Sequence, residues 1–314
     1  MYRKERAMLK GKNKYPRTLK KRGLLGFKTD FSAYVLMIPS VILLFILVWR
    51  PIYTGFVMSL YKTQGYNMVE FVGFQNYIDI ISESLFTTAV WNSVKYVFWS
   101  IIIGFIPPIF IAIMMCELRK CKGLVKFAVY FPGICPAIVT SLLWALMYDP
   151  GAGGLLNTIL GQFGVEPYGW LNDQARTIMY IIVSMSWAGF GSAAILYLAT
   201  LEGLPKELYE AAIIDGASIF QRVRYITLPQ MSGIILLMLI RNISGVFQIM
   251  QEPLAMTGGG PNNASLSLGL LGYRYGFVYF QIDKAVTVGF ITFALLFVIT
   301  LIYFRVEKKV SENV

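Results

Sequence analysis

Few residues in this chain are placed to do chemistry, and the most telling one is a charge. Arg241 stands near the middle of an apolar stretch, and Ser244, Gly245, Gln248 and Glu252 fall on its side of a helix at about 100° per residue. A central Arg costs about 2.5–3.5 kcal/mol on insertion scales, so it faces a bundle interior or a water-filled cavity. Such a stripe passes or holds a polar solute, or meets the seam with a second subunit. No other apolar stretch offers an acidic residue near its middle to pair with Arg241. Catalysis has little to work with. The absence of His removes His-based triads, His general bases and most zinc sites. Cys116, Cys121 and Cys135 are odd in number and match neither a metal spacing nor a disulfide framework. No G-x-x-x-x-G-K-[ST] phosphate loop occurs, so any ATP belongs to another subunit. Asp149, Glu166 and Asp173 share one segment without a recognisable arrangement, which leaves a polytopic membrane enzyme without a catalytic cluster.

The elements that must position Arg241 are those of a membrane protein. The chain has 314 residues, 56% hydrophobic and 14% charged, where soluble domains average about 45–50% apolar and about 25% charged. Six stretches, Tyr34–Leu60, Val94–Cys116, Phe127–Met147, Ile178–Leu201, Gln230–Met250 and Val286–Phe304, are long enough to cross about 30 Å of hydrocarbon. The first is over-long and interrupted at Trp49-Arg50-Pro51, which predicts an end that tilts or leaves the membrane. Pro107-Pro108, Pro132-Gly133 with Pro136, and Gly189 with Gly191 predict breaks in the second to fourth stretches. Membranes tolerate such breaks where neighbouring helices or a cavity satisfy the freed backbone groups. The run Ala188–Ala194 is rich in small residues, which suits close helix packing or a helix lining a path.

The formal charge is +11, and nine of those net charges lie in residues 1–30. The expected domains are therefore a basic cytoplasmic tail, 1–30, and a transmembrane domain, 31–314. A tail of this kind is drawn to anionic membrane lipids at about 1 kcal/mol per residue near the surface, or serves as a regulatory arm. No small-residue cleavage site follows it, so it reads as retained. Because the rest is so apolar, the basic balance does not indicate a nucleic-acid partner. With the N-terminus inside, twenty-one of the 28 Lys and Arg fall in inner segments and six in outer ones. The expected fold is all-α, with six transmembrane helices and both N- and C-termini cytoplasmic.

One inner loop, about 202–229, has the grammar of two short helices. Pro205 suits a first turn, Gly216 the left-handed position that ends a helix, and Ser218 with Gln221 a capping box for the next. Pro229 then opens the fifth stretch. Glu210-Ala211-Ala212, Asp215-Gly216-Ala217, Ile226, Leu228 and Pro229 resemble the "EAA" loop of permease subunits in binding-protein-dependent ABC importers. The resemblance implies that this loop docks on an ATPase subunit, with Glu210 at the contact and Gly216 permitting the turn. Thr257-Gly258-Gly259-Gly260-Pro261-Asn262-Asn263-Ala264-Ser265 and Phe71-Val72-Gly73-Phe74-Gln75-Asn76-Tyr77 resemble marks of carbohydrate permeases of the maltose/glycerol-phosphate type. Gly and Asn content by itself shows only a tight, exposed turn at 257–265.

These resemblances together imply the type I ABC importer permease fold and a sugar cargo, across roughly residues 35–305. In maltose permeases the sugar contacts fall at the positions of Asn242, Val246 and Ile249, and of Met185, Ala188 and Gly189. Here only Asn242 keeps a polar side chain and Gly189 the glycine, so a maltose-like site does not carry over whole. Trp187, Gly189, Arg241, Asn242, Gln248 and Glu252 are the candidate path residues, with Trp187 equally readable as packing. An oligosaccharide is the expected cargo, an acidic one if Arg241 touches it. The implied partners are a second homologous permease, two ATPase subunits that bind the ATP and Mg, and an extracytoplasmic sugar-binding protein. The chain itself would be no enzyme and hold no cofactor or metal, in a bacterial cell membrane crossed several times. A stand-alone secondary transporter or channel is the alternative, distinguished by transport without an ATPase.

Overall fold

The computed structural model describes residues 24–118, 120–151 and 153–311. Most of the basic tail thus lies outside the described residues, and the first helix already begins at Leu24. The chain divides into two units, Met1–Gly55 and Phe56–Val314. In the first unit a helix runs from Leu24 to Leu44 and continues through a wide π turn, Phe45–Trp49. Side chains from Tyr34 to Leu47 are exposed there, an apolar surface of the kind that lipid or another protein covers.

Pro51 and Pro107, expected to break helices, are instead absorbed by π turns, and Pro229, expected to open the fifth stretch, follows one as well. The N–H of Arg50 donates to the carbonyl of Phe45, that of Ile106 to Ile101, and that of Leu228 to Val223. In each case proline occupies the next position: Pro51, Pro107 and Pro229. A proline ring lacks an N–H and collides with the carbonyl four residues back. The extra residue in a π turn moves that carbonyl aside, and the helix proceeds. The interruption expected at Trp49-Arg50-Pro51 is therefore absent, and Tyr34–Ser59 is one span-length helix. Ser84–Glu117 likewise passes Pro107-Pro108 unbroken.

Among the described residues four helices are long and apolar enough to cross a membrane, Tyr34–Ser59, Ser84–Glu117, Thr177–Glu202 and Ile282–Lys309, and two bent pairs, each counted as one span, raise the number to six. The third span is the pair Lys122–Ile134 and Ala137–Met147, turned through 90°, and the fifth is Ile219–Gln230 and Ser232–Phe247, turned through 69°. Pro136 explains the first bend, since Cys135 before it is held extended at ψ 136°.

The fourth span shows why the glycines within it do not break it. A Cβ on Gly191 would lie 2.2 Å from the Val129 carbonyl oxygen and 2.6 Å from Tyr130 Cα. A Cβ on Gly133 would lie 2.9 Å from the Ala188 oxygen. These two glycines let the first arm of the third span press against the fourth, with the backbones in close approach. Gly189 does the opposite, for its Cβ would meet no atom within 4 Å. Packing and open space thus share one small-residue run.

Within the second unit, strands β1 (Tyr61–Gln64) and β2 (Asn67–Phe71) form an antiparallel hairpin, with Tyr61 opposite Phe71. The hairpin is tied to the last helix by Asp283 N–H donating to Thr63 Oγ1 at 3.0 Å. The Gln75 amide and the Lys62 ammonium hold the Asp79 carboxyl below its ordinary range. Between the third and fourth spans, buried Asn157 organises its loop. Its amide donates to the carbonyls of Asp149 and Tyr168, each at 3.1 Å, while its oxygen accepts from Tyr168 N–H and Trp170 Nε1 at 3.1 and 2.9 Å. Asn157→Ala orphans all of these groups and should cost about 3 kcal/mol, read as a drop in thermal stability of the detergent-purified chain.

Candidate coupling loop and transport path

The helix Lys206–Ile214 leads into Asp215 and then Gly216 at φ +76°. Ala217 N–H reaches back to the Ala212 carbonyl at 2.9 Å and Gly216 N–H to Ile213 at 3.0 Å, the pair of bonds that closes a Schellman turn. Ser218 Oγ then accepts from Gln221 N–H at 3.3 Å, and Gln221 Oε1 accepts from Ser218 N–H at 2.8 Å. This completes the capping box of the helix Ile219–Arg222. Tyr209 and Thr227 hydroxyls join the two arms at 3.1 Å, and Lys122 pairs with Glu202 at 2.7 Å where the loop begins.

What this loop exposes is as informative as what it ties down. Glu210, Ala211, Asp215, Gly216 and Leu228 are exposed, and Ala212 and Pro229 half-buried. Ile214 and Phe220 are 86% and 71% exposed on either side of the turn. Neither side chain stood out in the sequence, although the apolar pairs Ile213-Ile214 and Ile219-Phe220 on either side of Gly216 were visible. Ser218→Ala removes one half of the capping box at about 1 kcal/mol. Tryptic cleavage after Lys206 and Arg222 should rise about fivefold in that variant.

The candidate path residues separate into groups. The fifth span ends as a helix at Phe247, with Gln248 at φ −100° and Met250 at φ −135° before a new helix, Gln251–Thr257. The stripe from Arg241 to Glu252 therefore does not lie along one helix. Glu252 turns onto a cavity of about 400 Å³ that also takes in Thr140, Ser141, Met185, Gly189 and Ser192. Arg241 and Asn242 border a second cavity of about 360 Å³, together with Tyr197. Met185, Gly189 and Ser192 belong to both walls, so the open side of Gly189 is where the two adjoin.

Each remaining side chain has a local account. Asn242 donates its amide to Ser100 Oγ at 2.9 Å, which leaves its oxygen for the cavity. Gln248 donates to the Ser244 carbonyl of its own helix at 3.0 Å and lines neither cavity. Trp187 stands edge-on to Trp144, centroids 6.0 Å apart, in a third and apolar cleft with Ile103, Pro132 and Phe190. Among the described residues Arg241 has no ion pair. Two hydroxyls that the sequence did not single out complete the walls. Thr140 Oγ1 and Tyr197 OH are buried without a hydrogen-bond partner, one at each cavity. A Thr-Ser pair at 140–141 and a lone Tyr at 197, each within an apolar run, were the available signals.

The glycine-rich segment is not the exposed turn its composition suggested. Gly259 and Ser265 are buried. Asn92 donates to the carbonyls of Asn263 and Leu266 at 2.8 and 3.0 Å, and Tyr96 to that of Ser265 at 3.0 Å. The second span holds this loop in place, and those bonds join residues some 170 positions apart, beyond the reach of local pattern.

Residues 97–312 match the family described as "Binding-protein-dependent transport system inner membrane component". The chain belongs to this family. Among curated relatives of this inner membrane component, the arabinooligosaccharides transport system permease protein AraP of Bacillus subtilis is 28% identical over 285 residues, 90% of either chain. The trehalose/maltose transport system permease protein MalF of Thermococcus litoralis is 30% identical over 286 residues, 90% of this chain and 96% of its own. A bacterial ABC transporter solved for its import of the acidic polysaccharide alginate has a chain that superposes with TM-score 0.81. That likeness covers 90% of this chain and 97% of the other at 23% identity, and it speaks to fold alone. The fold is that of a type I ABC importer permease, in a multi-pass membrane protein.

Proposed function

We propose that this chain is one of two homologous permease subunits of an ATP-driven importer for oligosaccharides in a bacterial cell membrane. The observation that carries the reading is the loop at 202–229. Its turn is fixed by the Schellman bonds and the capping box, yet Ile214 and Phe220 stand bare beside Glu210 and Ala211. A rigid helix pair with uncovered apolar tips fits a cleft on another protein, and the resemblance of Glu210 to Pro229 to an EAA loop makes that protein an ATPase. Two ATPase copies would bind ATP and Mg, and their closure would drive the loop and, through Met231 at the bend, the fifth span. An extracytoplasmic sugar-binding protein would deliver cargo to the opposite side.

Carbohydrate as cargo is supported by the names of the two relatives, which concern arabinooligosaccharides and trehalose or maltose. Arg241 faces the translocation path or the second permease. Both termini and the 202–229 loop lie on the cytoplasmic side in this reading, in line with the placement of Lys and Arg. Uptake of labelled saccharides by vesicles carrying the whole complex tests it. Uptake should require ATP and the binding protein; uptake without either would make the chain a secondary transporter.

A further inference from the structure

We propose that Glu252 sets the charge preference of the path, so that the saccharide unit in the first cavity is uncharged and uronate units are turned away. This rests on the carbohydrate reading above. Among the residues bordering the first cavity Glu252 alone is charged, and no Lys or Arg among the described residues pairs with it. The other polar groups there are hydroxyls, of which Ser141 and Ser192 donate to carbonyls of their own helices at 2.9 Å. Thr140 Oγ1 is buried without a partner, on a residue only 4% exposed. An unpartnered buried hydroxyl is costly unless something visits it.

A carboxylate is acceptor-only and takes hydrogen bonds from two neighbouring hydroxyls, which a neutral sugar ring supplies. A cargo carboxylate supplies no donor and brings a like charge beside Glu252, where two negative charges a few Å apart repel. The cation of the path, Arg241, borders the second cavity and not the first. An acidic oligosaccharide would gain at one cavity and lose at the next, whereas a neutral one is accepted by hydrogen bonding at both.

Cys135 is exposed on the wall of the first cavity and serves as its reporter. The assembled importer, with every other cysteine replaced, is treated with cationic and anionic methanethiosulfonates. Relative to a free thiol, the cationic reagent should modify Cys135 about tenfold faster than the anionic one. Glu252→Gln should return that ratio to the free-thiol value, and Glu252→Asp should keep it. A neutral trisaccharide delivered by the binding protein should slow the labelling, while trigalacturonate should not. A ratio unchanged in Glu252→Gln, with neutral uptake intact, would overturn the proposal and leave the carbohydrate reading standing. Preserved charge selectivity with no uptake of any saccharide would overturn the carbohydrate reading and with it the sugar part of the proposal.

Discussion

Replacing Gly191 by alanine should destabilise the permease by about 3 kcal/mol, the upper end of overpacking costs, and lower the ratio of folded to unfolded chain roughly a hundredfold. The new methyl would sit 2.2 Å from the Val129 oxygen and 2.7 Å from its carbonyl carbon. Both neighbours are backbone and cannot rotate away, so the arm of the third span must lift off the fourth. Gly189→Ala provides the contrast two residues earlier, because its methyl meets nothing within 4 Å. Melting curves of the two variants in mild detergent check this. A deep loss of melting temperature for Gly191→Ala with little change for Gly189→Ala is expected, and equal curves would refute the close approach.

Gly216→Val should lower ATP-driven uptake by roughly 5–30-fold at normal expression. A side chain at φ +76° costs about 1–2 kcal/mol, with branched residues at the high end, and one or two kcal/mol shift a conformational balance by that factor. Space is not the issue, since a Cβ on Gly216 would find no atom within 4 Å. Backbone conformation alone is at stake, so Gly216→Asn should retain most uptake, Asn being tolerated in the left-handed region. Uptake that falls equally for Val and Asn would point to the missing hydrogen of glycine as a contact with a partner, and not to the turn.

The parts of this fold that read directly from sequence are the local ones. Gly216, Ser218 and Gln221 formed their turn and cap as expected because each bond spans fewer than six residues. Pro136 produced its bend because it stands in the middle of an apolar stretch with no wide turn before it. Pro51 and Pro107 look the same in sequence, yet they lie in helices that continue, since a π turn is a registry adjustment with no residue signature of its own. Gly189 and Gly191 are two residues apart and differ only in what faces them, which is a property of the third span.

The candidate path residues could be picked out by type, but their geometry could not. A helical projection through Glu252 assumed a continuous helix, and the backbone departs from it between Gln248 and Met250. That departure parts the two charges between adjoining cavities. Thr140 and Tyr197 gained meaning only from the absence of partners around them.

In the proposed importer the exposed turn is the seat of an ATPase. Affinity purification in mild detergent, read by mass spectrometry, should recover an ATPase and a second permease with the wild-type chain. With Ile214→Asp and Phe220→Asp together, the second permease should remain and the ATPase should be lost. An ATPase that stays bound to the doubly charged variant, or a wild-type chain that purifies alone and transports without ATP, would contradict the account.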